Sequence, residues 1–104
     1  MSIASTPPPP YYAVIFTSIK KEHTPGYTSM AEKMLELAAE QPGFLGVESV
    51  RQDIGITISY WDSMYSIKLW KENAAHLTAQ EHGKLQWYAH YTVRICLVQK
   101  EYSF

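Results

Sequence analysis

Residues 11–19, Tyr-Tyr-Ala-Val-Ile-Phe-Thr-Ser-Ile, are apolar on both alternating faces, which predicts a central strand covered on both sides. A polar stretch over 20–27, carrying Pro25-Gly26, reads as a turn. From 28 to 40, Met30, Met34, Leu37 and Ala38 recur at helical spacing opposite Glu32, Lys33, Glu36 and Glu40, and Pro42-Gly43 ends that helix. Residues 44–51 predict a second strand and Asp53-Ile54-Gly55 a tight connection. Over 56–61, Ile56, Ile58 and Tyr60 alternate with Thr57, Ser59 and Trp61 as a third strand. Asp62-Ser63 offers an N-cap to a helix over 64–73 with Ile67 and Trp70 inward, and 74–80 continues it. Gly83 interrupts, 84–89 adds roughly a helical turn, and 91–102 is strand again.

The order is β-α-β-β-α-β, an α+β, ferredoxin-like pattern with an antiparallel sheet. If the last strand runs on to Phe104 it is about 45 Å long at roughly 3.3 Å per residue. Strands in a domain of this size usually measure about 17–20 Å. The excess would leave backbone unpaired unless it lies on another chain, so the pattern predicts a homodimer closed across two subunits. Pro7 to Pro10 lack backbone N–H groups and favour an extended conformation. Residues 1–10 are expected to be a disordered leader, and 11–104 the folded domain.

Composition narrows the picture. With 104 residues there is one domain, and 13% aromatic against 18% charged residues suits a fold that covers apolar surface with a second copy of itself. A net charge of −1 gives no field for nucleic acid or an anionic membrane. No apolar run approaches the roughly 20 residues of a membrane helix, and the start of the chain lacks the pattern of a signal peptide. A cytoplasmic protein is expected. Cys96 is the only cysteine and is expected to be a small buried filler.

The candidate chemistry lies between Trp61 and Arg94. All three tryptophans, Trp61, Trp70 and Trp87, fall there with Tyr91, and such side chains suit a pocket for a flat organic molecule. His76 or His82 would handle a proton near neutral pH, and Arg94 would hold an oxyanion. Against these stand plainer roles: Trp70 in the core, Trp61 over the following helix, His76 and His82 at the surface, Trp87 and Tyr91 in a dimer interface, Arg94 in an ion pair with Glu48 or a partner-chain acid. His76 and His82 are six residues apart, not the three or four that a metal pair on a helix needs, and no metal site is expected. No glycine-rich phosphate loop or nucleotide fingerprint is present.

The element order, Pro42 to Gly46, Ser59-Tyr60-Trp61 and the helix carrying Trp70 together resemble the antibiotic biosynthesis monooxygenase domain of the dimeric α+β barrel superfamily. The resemblance extends over residues 11–104 and implies a homodimer with a pocket between sheet and helices. It implies catalytic roles for Trp70 and Arg94; by side-chain chemistry, His76 is the expected catalytic proton handler and Trp61, His82, Trp87 and Tyr91 the expected substrate contacts. The implied activity is oxidation of a small planar aromatic or quinone-type compound by O2 without a cofactor. Two rivals stay open: a non-catalytic ligand-binding or stress-associated dimer, and a haem-binding or haem-degrading protein. The haem branch uses an Asn on the first strand and a His about ten residues after the helix tryptophan. Residues 11–19 contain no Asn, and neither His76 nor His82 has that spacing, so haem is not favoured.

Overall fold

The computed structural model of the chain describes residues 2–80 and 87–104. Its elements are β1 (Tyr11–Lys20), α1 (Tyr27–Ala39), β2 (Phe44–Arg51), β3 (Gly55–Trp61), α2 (Met64–Gln80) and β4 (Tyr88–Val98). The strands form one antiparallel sheet in the order β2-β3-β1-β4. This is the α+β, ferredoxin-like βαββαβ arrangement that the hydrophobic pattern predicts.

The register sorts the side chains into two faces, because neighbours directly across a ladder point the same way and successive residues point oppositely. One face carries the rows Phe44–Trp61–Tyr12–Leu97, Val47–Ser59–Val14–Ile95, Ser49–Thr57–Phe16–Val93 and Arg51–Gly55–Ser18–Tyr91. This face meets the helices: Trp61, 0% exposed, packs with Ala38 of α1 and Ile67 of α2, and with Tyr12, Val14, Phe44 and Trp70. Its indole Nε1–H donates to Ser59 Oγ at 2.9 Å, so the buried polar edge is satisfied within the same strand. The opposite face carries, among others, the row Glu48–Ile58–Ile15–Arg94.

Local chemistry fixes the helix ends. Gly26, at φ 80°, opens α1 in the left-handed region that glycine adopts without penalty. Ser63 Oγ accepts the Ser66 N–H at 3.1 Å, which caps α2 as the Asp62-Ser63 pair predicts. Ser66 Oγ in turn donates to Asp62 Oδ1 at 2.7 Å, and the Asp62 N–H donates to the Gly43 carbonyl at 2.9 Å. A Cβ at Gly43, where φ is +84°, would run into the Asp62 and Ser66 side chains.

The last strand departs from the expectation at both ends. Tyr88 and Ala89 are already strand, not helical turn, and residues 84–86 lie outside the described residues. At the far end β4 stops at Val98, because Val98 pairs with Tyr11 and β1 extends no further. Residues 99–104 form no strand, so the expected run to Tyr102 is shorter. Instead, Glu101 Oε1 accepts hydrogen bonds from the Tyr11 hydroxyl at 2.6 Å and Thr6 Oγ1 at 2.9 Å. Nearby, the Ala4 N–H donates to Glu48 Oε2 at 3.0 Å, and the Tyr60 hydroxyl donates to Glu48 Oε1 at 2.6 Å.

Candidate functional site

The helices do not cover the whole face they meet. α1 packs towards β2 and α2 towards β3, while β4 stands at the free edge of the sheet. On that strand Tyr91, Val93, Ile95 and Leu97 are 40%, 45%, 43% and 47% exposed, all on the helix-facing side. Half-buried Tyr12, Val14 and Phe16 of β1 lie beside them. The result is an apolar strip two strands wide. It is bordered on the helix side by half-buried Trp70, which stacks on Trp61 with centroids 6.0 Å apart and planes inclined by 20°.

One end of the strip is polar. Arg51, the last residue of β2, reaches across Gly55 to β1, where its Nη1 donates to the Ser18 carbonyl at 3.5 Å and its Nη2 donates to Ser18 Oγ. A Cβ at Gly55 would occupy the place of the guanidinium, so the absence of a side chain there opens the path. The guanidinium carbon lies 5.6 Å from the centre of the Tyr27 ring, and Lys20 Nζ lies 4.5 Å from the same centre. The Tyr88 hydroxyl donates to the Tyr27 hydroxyl at 3.2 Å, and Phe16 touches both Tyr88 and Tyr91 with centroids 5.4 Å apart in each pair. Burial first, then the bond to Tyr27, holds the Tyr88 phenol well above its ordinary range, with Arg51 pulling the other way.

The residues singled out by sequence are distributed over several settings. Trp61 is fully enclosed in the core, Trp70 borders the strip, and Tyr91 lies on it. Trp87 is buried and serves the turn before α1: its Nε1–H donates to the Pro25 carbonyl at 3.2 Å and its ring meets Tyr27 edge-on. Arg94 pairs with Ile15 and so lies on the face away from the helices, opposite Trp70. It shares a row with Glu48, but two strands lie between them, and Glu48 bonds Ala4 and Tyr60. His76 is exposed on α2, whose Ser66, Ile67 and Ala74 are buried. His82 lies outside the described residues. Cys96 is exposed on the face away from the helices, a correction to its expected burial: β4 is an edge strand without cover on that side. Within one chain, then, Trp61, Trp70 and Tyr91 share a face, and Arg94 does not join them.

Sequence reasoning missed Arg51, Tyr27 and Tyr88. The alternation of Tyr91, Val93, Ile95 and Leu97 against Thr92, Arg94 and Cys96 was a legible signal that Arg94 points away from the apolar face. Among the described residues His23 and His76 are exposed, and His90 pairs with Ile19 on the face away from the helices, beside Thr92. No group of three or more metal-ligating side chains occurs among the described residues. Among them, too, no helix is long and apolar enough to cross a membrane.

Comparison with known proteins agrees with the fold. The chain is 52% identical over 104 residues to the uncharacterized protein YqjZ of Bacillus subtilis (strain 168), covering 98% of this chain and 91% of the relative. It is similar in fold to SnoaB of Streptomyces nogalater, described as a cofactor-independent oxygenase, with a TM-score of 0.62 at 12% identity, over 91% of this chain and 97% of that one. It is also similar to a variant of MhuD solved with two manganese protoporphyrin IX molecules bound per active site, with a TM-score of 0.64 at 14% identity, over 89% and 99% of the two chains. The family profile described as antibiotic biosynthesis monooxygenase matches residues 10–82, and the chain belongs to that family.

Proposed function

We propose that the chain binds a small planar aromatic or quinone-type compound against the β1–β4 strip and oxidises it with O2, working as a homodimer with one such site in each subunit. The observation that carries this reading is the row of Tyr91, Val93, Ile95 and Leu97, about half exposed, aligned beside Phe16 and the Trp61–Trp70 stack. An apolar surface with aromatic borders removes a flat ring system from water and offers it stacking partners. SnoaB's description as a cofactor-independent oxygenase supports the choice of oxidant.

The chemistry suits a substrate with an acidified C–H flanked by aromatic rings. Loss of a proton gives a delocalised carbanion, which passes one electron to O2. The resulting carbon radical and superoxide combine, forming a C–O bond, and protonation gives a hydroperoxide. Loss of water then leaves a carbonyl, so that a CH2 group and O2 become C=O and H2O with no other reductant. The strip would contribute a dry, oriented surface for the anion.

A second reading, binding without turnover, is favoured by one feature: Trp70 and Arg94 lie on opposite faces within a chain, so their joint catalytic role has no common cavity in one subunit. Titration of the protein with anthrone or anthraquinone, followed by tryptophan quenching and by an oxygen electrode, separates the two. Quenching with oxygen uptake supports oxidation, whereas quenching without uptake leaves a binding protein. Val93→Glu buries a charge under the ligand and is expected to weaken quenching by at least about tenfold. Unchanged affinity in that variant would place the ligand elsewhere.

A further inference from the structure

Resting on the strip as the binding surface, we infer that Arg51 and the Tyr27 hydroxyl form an anion site at its end, so that the ligand is an aromatic carboxylate, not a neutral ring system. Arg51 is half-buried and carries five N–H donors, of which the described contacts commit Nη1 and Nη2 to Ser18. Among the described residues no carboxylate is bonded to it; it also lies over the Tyr27 ring, where the second cation is Lys20. Two positive charges around one phenol, with no carboxylate bonded to either among the described residues, favour a negative guest.

The position is set by the register. Ser18, which holds the guanidinium, lies two residues along β1 from Phe16 and directly across from Tyr91. The charge therefore sits one side-chain repeat, about 7 Å, beyond the aromatic floor. A carboxylate carried at the edge of a fused ring system would meet Arg51 while the rings cover Phe16 and Val93. Tyr88 supplies the second donor indirectly: its hydroxyl gives its hydrogen to Tyr27, which leaves Tyr27's own hydrogen to donate to the anion. Gly55 is the specificity element, since any side chain there would push the guanidinium off this path.

The test compares anthraquinone-2-carboxylate with its uncharged carboxamide by tryptophan quenching, in the wild type, Arg51→Gln and Arg51→Lys, each checked for folding by circular dichroism. The wild type is expected to prefer the carboxylate by about tenfold or more. Arg51→Gln should lower carboxylate affinity to that of the amide and leave the amide unchanged. Arg51→Lys, which keeps the charge but not the planar fork, should retain part of the preference. Equal wild-type affinities, or a preference that survives Arg51→Gln, would overturn the anion site while leaving the strip as the ligand surface. If neither compound binds the wild type, the strip itself is wrong and the anion site falls with it.

Discussion

At the scale of single residues, the polar groups are as informative as the aromatic ones. Tyr60 and Tyr11 meet edge-on with centroids 5.8 Å apart, and each gives its hydroxyl hydrogen to a carboxylate, Tyr60 to Glu48 and Tyr11 to Glu101. Burial, and then those bonds, raise both phenols above their ordinary value. A raised acid holds its proton more tightly when folded, so between about pH 10 and the folded value the native state binds more protons than the unfolded one. Stability conferred by these phenols is complete below about pH 10 and declines as pH rises further. Urea unfolding between pH 8 and 11 should show that decline, and Tyr60→Phe should make it shallower. An identical slope in the variant would assign the alkaline loss to other groups. This network was invisible in the sequence, because Glu48 and Glu101 come from distant segments and nothing in their spacing marks the two tyrosines that they hold as neighbours. Arg51 was hidden for a similar reason: its meaning depends on Gly55 and Ser18 standing in the same cross-strand row.

Elements were far more legible than sites. β2 spans residues 44–51, the predicted range, and β3 and both helices lie within a few residues of the ranges set by alternation, helical spacing and the Pro42-Gly43 and Asp62-Ser63 signals. These features are local, and local geometry decides them. The extent of β4 is not local. Its start at Tyr88 is fixed by pairing with Lys20, and its end by the first residue of β1. The cap of α2 provides a test at this scale. Ser63→Ala removes the acceptor of the Ser66 N–H and should cost about 1 kcal/mol in urea unfolding. Gly43→Ala should cost more, since it forces an L side chain into a left-handed conformation and against Asp62 and Ser66. If Gly43→Ala is neutral, the Gly43–Asp62 junction is not the tight closure that the contacts describe.

For the whole molecule, the question is what a chain of 104 residues does with so much uncovered apolar surface. Besides the strip, the face away from the helices leaves Val50 65%, Ile19 46% and Ile56 38% exposed. Val50 and Ile56 stand in one cross-strand row, so their exposure forms a patch, not scattered single residues. The two surfaces face opposite ways across the sheet, and a single ligand cannot cover both. The expected division gives the strip to the ligand and the far face to a second copy of the chain, an isologous contact that closes on itself. Sedimentation at micromolar concentration should then find a species of twice the 11.9 kDa chain mass. Ile56→Glu, which places a charge on the far face and touches no strip residue, should return it to the mass of one chain. The variant also decides where Arg94 belongs, because Arg94 shares that far face. If monomerisation abolishes oxygen uptake but preserves quenching by anthraquinone, the far face contributes to turnover through the partner. If the wild type already sediments as one chain, the far face is not a subunit interface and the exposed row requires a different cover.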